Sequence, residues 1–119
     1  MKMQLNGAWQ FETALLGGKD ITATMQSMHL VIDRNEFRIK QGEVTVDYGT
    51  LTFSEGTNHL DLFGIEGPGK GNLLHAIYKI VRDEMIICYN LDKSGSYPSD
   101  FESPEGSTNF LVHYKSKRT

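Results

Sequence analysis

The sequence predicts an all-β fold, an eight-stranded antiparallel up-and-down barrel. Apolar and polar residues alternate with a period of two in several short runs, which is typical of strands with one buried face. Glycine-containing or polar turns separate these runs, and no stretch shows sustained helical periodicity. Consecutive strands with short connections pair antiparallel, and closure removes the exposed edges of the sheet. A two-sheet sandwich is the structural alternative.

The first strand contains the only tryptophan of the chain. Trp9, Phe11 and Leu15 are apolar at odd positions, whereas Gln10 and Glu12 between them are polar. This alternation places Trp9 on the inward face near one end of the strand. We therefore expect Trp9 to seal one end of the barrel as a structural floor.

The remaining strands follow in order along the chain. They are expected over 27–33, 36–41, 43–53, 59–65, 73–81, 85–91 and 109–115. The alternation changes phase near Gly49, so we predict a β-bulge or bend over 48–50. Residues 21–26 fit either one helical turn or a loop that closes a barrel mouth.

Large side chains on the inward faces define the candidate lumen. An eight-stranded barrel has room for packed side chains or for one small ligand. The sequence therefore leaves two alternatives, a packed core and a ligand pocket. Buried tyrosine hydroxyls would need hydrogen-bond partners in either case. The candidate ligand-binding residues of the lumen are Phe11, Tyr78, Ile87, Tyr89 and Phe110.

Length and composition narrow the class of protein. The 119 residues are expected to form a single domain over 1–119, and the net charge of −3 gives no electrostatic basis for nucleic-acid binding. No apolar run approaches the ~18 residues of a membrane span. No apolar segment follows Met1, so we expect a cytoplasmic protein or the mature part of an exported one. The single cysteine, Cys88, excludes an intrachain disulfide.

No pattern in the chain points to catalysis, so we expect no catalytic residues, no cofactor, no metal and no enzymatic activity. The glycine-rich segment 67–72 lacks the serine or threonine that follows the lysine of a phosphate-binding loop, so we interpret it as a hairpin connection. The four histidines lack the close spacing of metal ligands. His75 and His113 lie on the less apolar faces of their strands and are expected to be exposed, although strand pairing could bring them together to bind zinc.

Several short motifs occur in the order seen in a known family. They are Leu5-x-Gly7-x-Trp9, Gly67-Pro68-x-Lys70-Gly71, Ala76-Ile77-Tyr78 and Met85-x-Ile87-Cys88-Tyr89. On these motifs the chain resembles a family of small bacterial domains of uncharacterised function, best known from planctomycetes. The resemblance implies a lipocalin-like (calycin) barrel with a pocket and implies no reaction. The chain departs from the family at Tyr97, where members carry arginine.

The expected function is that of a non-catalytic binding module. A small apolar ligand would enter the barrel at the mouth opposite Trp9. The alternative is a protein-interaction domain of regulatory or immunity type, with a filled core and contacts through loops 65–72 and 92–107.

Overall fold

The computed structural model describes residues 5–54, 56–92 and 95–117. Positions 1–4, 55, 93–94 and 118–119 lie outside the described residues. They include the first four residues of the N-terminal stretch from which the compartment was predicted, and two positions of the predicted loop 92–107.

The described residues form strands joined mainly by short turns, with one short helix. The strands are β1 (Gly7–Leu16), β2 (Lys19–Asp20), β3 (Met28–Asp33), β4 (Glu36–Gln41), β5 (Val44–Phe53), β6 (His59–Glu66), β7 (Leu73–Val81), β8 (Glu84–Asn90) and β9 (Asn109–Ser116), and the helix is α1 (Thr22–Met25). Strands β4 and β7 have the predicted bounds. Strands β3, β5, β6, β8 and β9 differ from the prediction by one residue at one or both ends.

The strands form a closed barrel. The strand order is β2-β1-β3-β4-β5-β6-β7-β8-β9, every neighbouring pair is antiparallel, and β1 also pairs with β9. Closure runs along most of β1, from Trp9 opposite Ser116 to Leu16 opposite Phe110. The predicted eight-stranded antiparallel barrel is therefore confirmed, and β2 is an additional short strand on the end of β1.

A register shift occurs at the predicted position in β5, but the extra residue is Ile65 of the partner strand β6 and not one of residues 48–50. The pairing of β5 with β6 shifts register between Tyr48 and Gly49. A Cβ atom at Gly49 would lie 2.1 Å from the carbonyl oxygen of Phe63 and 2.7 Å from the ring of Phe37. Only glycine therefore fits this bend. Further register shifts occur in β1, where Glu12 is an extra residue opposite β9, and in β5, where Val46 is an extra residue opposite Ile39 and Lys40 of β4.

Helix α1 resolves the alternative left open over 21–26. Thr22 starts the helical turn, and its N–H donates to Oδ1 of Asp20 at 2.9 Å. Its Oγ1 accepts a hydrogen bond from the N–H of Ala14 at 3.0 Å, which ties the helix to β1. Ile21 and Met25 pack against the barrel core. The helical turn thus covers part of one barrel mouth.

Trp9 lies in the closed end of the barrel. Only 5% of its surface is exposed, and its indole N–H donates to the carbonyl oxygen of Leu5 at 2.9 Å. Trp9 stands opposite Leu30 of β3 on one side and Ser116 of β9 on the other. Leu5, two residues before β1, therefore holds the Trp9 ring in place through its carbonyl oxygen.

Strand β8 is buried on both faces. Met85, Ile87 and Tyr89 point into the barrel core, as the alternation predicts. The outward-facing Ile86 and Cys88 are also buried, in a second cluster with Ile77 and Leu111. Part of the segment 95–108 covers this outer cluster through Tyr97 and Phe101. A strand covered on both faces is expected to be apolar throughout, which accounts for the continuous apolar run at 85–89.

The described residues contain no helix with the length and hydropathy that crossing a bilayer requires.

We expect the packing of Phe101 to protect the Cys88 thiol. Cys88 is fully buried, its Sγ donates to the carbonyl oxygen of Glu102 at 3.3 Å, and burial raises its pKa. Phe101→Ala removes part of the cover. Because less apolar surface then becomes exposed when the cover opens locally, opening becomes more frequent, and dithionitrobenzoate should label the thiol about tenfold faster. Phe63→Ala, at an exposed position on β6, is the matched control. Equal labelling rates in both variants would contradict this account.

Candidate functional site

A cavity of about 460 Å³ opens at the end of the barrel opposite Trp9. The β4–β5 hairpin, the β6–β7 hairpin, α1 and the start of β9 all contribute to its wall. The wall is mostly apolar, with side chains that include Phe11, Met25, Met28, Leu30, Phe37, Ile39, Leu62, Leu74 and Phe110. Pro68, Gln41 and Leu91 are exposed wall residues, so the cavity reaches solvent at this rim.

Three of the five predicted lumen residues line this cavity. Phe11, Tyr89 and Phe110 belong to its wall, whereas Tyr78 and Ile87 do not. Tyr78 stands opposite Ile87 in the β7–β8 pair, and both are buried in the barrel core away from the cavity. The alternation correctly indicates that these residues point inward. It carries no information on how deep each residue lies along the barrel axis.

Polar groups lie at the rim of the cavity. Gln41, Asp47 and Asn72 line it at the ends of the hairpins. Burial raises the pKa of the Asp47 carboxyl, while hydrogen bonds from the N–H groups of Tyr48 and Gly69 oppose that shift. The carboxyl group therefore joins the β5 strand to the β6–β7 connection.

The glycine-rich connection 67–72 folds over the rim. It joins the antiparallel strands β6 and β7, in agreement with the hairpin interpretation. Gly64 binds back to it twice: its N–H donates to the carbonyl oxygen of Asn72 at 3.0 Å, and its carbonyl accepts from Gly71 at 2.9 Å. A Cβ atom at Gly64 would lie 1.9 Å from the carbonyl oxygen of Gly69. This close approach brings Pro68 and Gly69 against the cavity.

Two tyrosine hydroxyls meet inside the barrel. The hydroxyl oxygens of Tyr89 and Tyr114 are 2.6 Å apart, and both residues line the cavity. Phe110 stacks on Tyr89 and Phe11 packs against Tyr114, with ring centroids 5.7 and 4.8 Å apart. Burial raises the pKa of both tyrosines, so both hydroxyls stay protonated at neutral pH. The inward position of Tyr89 predicts a hydrogen-bond partner for its hydroxyl, but no feature of the sequence identifies that partner as Tyr114.

A polar cluster lies on the outer face of β6 and β7, where sequence analysis predicted exposed histidines. Nδ1 of His75 is 2.7 Å from Oδ1 of Asp61, and the hydroxyl of Tyr97 donates to the same oxygen at 2.6 Å. The Tyr97 ring stacks on His59, with centroids 3.8 Å apart. His75 is therefore half-buried rather than exposed, because Tyr97 covers it. The hydrogen bond to Asp61 raises the pKa of Tyr97.

His75 and His113 do not come together. His75 stands opposite Asn90 of β8, while His113 stands opposite Ile86 of the same strand, and four residues of a strand span about 13 Å. Nδ1 of His113 is instead 3.9 Å from a carboxylate oxygen of Glu84. Within the described ranges, no group of three or more His, Cys, Asp or Glu residues is arranged to hold a metal ion.

We expect Gly64 to tolerate no side chain. Gly64→Ala places a Cβ atom against backbone of the 67–72 connection, and overpacking of this kind costs about 1–3 kcal/mol. The melting temperature should fall accordingly. Gly69→Ala is the matched control, because its Cβ atom meets only the Asp47 carboxylate at 3.7 Å, an ordinary contact. A melting temperature as low in Gly69→Ala as in Gly64→Ala would contradict the geometry of this connection.

We expect the two tyrosine hydroxyls to contribute to the free energy of unfolding as a coupled pair. Tyr89→Phe or Tyr114→Phe alone leaves the other buried hydroxyl without its partner, which costs about 1–2 kcal/mol of unfolding free energy. The double variant removes both hydroxyls together, so it should be less destabilised than the sum of the single variants. Urea denaturation of the four proteins measures this coupling. Strict additivity would show that the two hydroxyls do not depend on each other.

Comparison with known proteins adds no relative: no family model matches the chain, and neither a curated protein nor a solved structure is significantly similar to it. The resemblance to the lipocalin-like bacterial domains therefore stays a prediction.

Proposed function

We propose that the protein is a non-catalytic binding module that holds a small, largely apolar molecule inside its barrel. The observation that carries this proposal is the cavity of about 460 Å³ at the end opposite Trp9. Its size lies within the ~300–1,000 Å³ that is usual for small-molecule sites, and such sites are mainly apolar with a few polar groups. The wall described above has this composition.

The energetics of the wall support an apolar occupant. Each buried methylene group of a ligand contributes about 0.8 kcal/mol, so a molecule with a hydrocarbon body gains affinity along the wall. The end of the barrel that contains Trp9 and Leu5 is packed. These two residues do not need to move when a ligand enters the cavity at the opposite end. Entry is then through the rim formed by α1 and the two hairpins.

The polar groups of the wall favour binding over catalysis. The tyrosine hydroxyls are held neutral by burial, and a neutral hydroxyl of raised pKa is a poor nucleophile and a poor base. The Asp47 carboxyl accepts hydrogen bonds from backbone N–H groups, which occupy it structurally. These groups can orient a ligand without reacting with it.

One observation favours the alternative of a protein-interaction domain. Phe63, Ile65 and Leu73 are exposed apolar residues on or beside the loop 65–72 and form an outer patch, in which Phe63 and Leu73 are register partners. The second loop of that alternative, 92–107, is less available. Part of it packs on the barrel through Tyr97 and Phe101.

Two adjacent substitutions separate the cavity from the outer patch. Leu74 lines the cavity, and the neighbouring Leu73 is 44% exposed on the opposite face of β7. Leu74→Trp fills part of the cavity and should weaken binding of the neutral probe N-phenyl-1-naphthylamine at least tenfold, as judged by its fluorescence. Leu73→Trp should leave this affinity unchanged, and melting temperatures confirm that both variants fold.

Two outcomes would contradict the proposal. One is an intact protein that does not bind the probe at all. The other is loss of affinity in Leu73→Trp with none in Leu74→Trp, which would place the probe on the outer patch and favour the protein-interaction alternative.

A further inference from the structure

The hydroxyl pair of Tyr89 and Tyr114 is the polar element of the cavity wall that lies deepest in the barrel. Tyr114 is 1% exposed and Tyr89 is 7% exposed, whereas the other polar wall residues lie at the rim. The surroundings of the pair are the rings of Phe11 and Phe110. Stability alone does not explain a polar pair in such surroundings, because replacing both partners by apolar groups of the same shape can leave a protein equally stable.

The pair has one hydrogen-bond donor left over. Two hydroxyls carry two protons, and the bond between them uses one. Within the described part of the chain, neither hydroxyl has another hydrogen-bond partner. The tyrosine that accepts the bond therefore retains an O–H that can donate. A hydroxyl that already accepts a bond is also polarised, which strengthens its own donation.

The charge of the wall restricts what this donor can bind. Among the residues that the structure describes, no lysine, arginine or histidine lines the cavity, and the wall carries the Asp47 carboxyl at its rim. An ionised carboxylate or phosphate at the tyrosine pair would lose its hydration without gaining a counter-charge, which strongly disfavours its binding. A neutral oxygen acceptor loses much less and gains the hydrogen bond.

We propose that the Tyr89–Tyr114 pair recognises a neutral oxygen acceptor, such as the carbonyl of a ketone, aldehyde or ester, on an otherwise apolar ligand. This proposal rests on the proposed function, since it assumes that the cavity is the binding site. It adds the chemical class of the ligand: an uncharged molecule with an apolar body and a carbonyl-type oxygen that reaches the pair.

Two probes of the same shape test the proposal. 2-Acetylnaphthalene carries a carbonyl where 2-isopropenylnaphthalene carries a carbon–carbon double bond. Both probes are titrated against the intact protein and against the double variant Tyr89→Phe/Tyr114→Phe. This variant removes both hydroxyls, so neither is left buried without its hydrogen-bond partner. Tyr48→Phe is the matched control, because Tyr48 loses the same group outside the cavity, where its side chain packs under Arg38.

The double variant should bind 2-acetylnaphthalene about three- to tenfold more weakly than the intact protein, the range expected for one hydrogen bond. It should bind 2-isopropenylnaphthalene within twofold of the intact protein, and Tyr48→Phe should change neither affinity. If the double variant keeps its affinity for the ketone, or loses affinity for both probes alike, the recognition proposal is overturned while the binding function stands. If the intact protein binds neither probe, the proposed function fails and the recognition proposal fails with it.

Discussion

The pairing of β1 with β9 is the interaction on which the rest of the structure depends. It joins the first and last long strands of the described chain and leaves neither with an unpaired edge along this seam. Strand β1 pairs with β3 on its other side, so it must curve to serve both neighbours, and the register shift between Phe11 and Thr13 supplies part of that curvature. Without the seam, Trp9 and Tyr114 would lose one wall of their surroundings. Both the closed end and the cavity therefore follow from it.

Closure produces two unequal ends, and the difference is local. At one end the buried Trp9 ring packs in the barrel core and donates a hydrogen bond to Leu5. At the other end the hairpins contribute glycine, proline and small polar groups, which cannot fill a barrel interior. The approach of Gly64 to Gly69 holds the connection 67–72 close to the rim but adds no side chain to the interior. The cavity is the space that remains.

Most of the fold could be predicted from the sequence, because period-two alternation and turn residues act locally. The phase change along β5 predicted an extra residue in that strand, and the structure has one at Val46, slightly before the predicted positions 48–50. The Tyr89–Tyr114 pair could not be predicted, because the partners are 25 residues apart and alternation does not say which inward residues meet. The cover that Tyr97 places over His75, and that Tyr97 and Phe101 place over the outer cluster, was missed for a related reason. A loop without periodicity carries no signal of the face on which it packs.

The position of the lone tryptophan has a practical consequence for spectroscopy. Trp9 lies at the closed end of the barrel and the cavity lies at the other end. The paired rings of Phe11 and Tyr114 lie between Trp9 and the rim of the cavity. The intrinsic emission of the indole therefore reports whether the seam and the closed end are intact. Occupancy of the cavity is better followed by the emission of a bound chromophore, so unfolding and binding can be recorded as two separate optical signals in one sample.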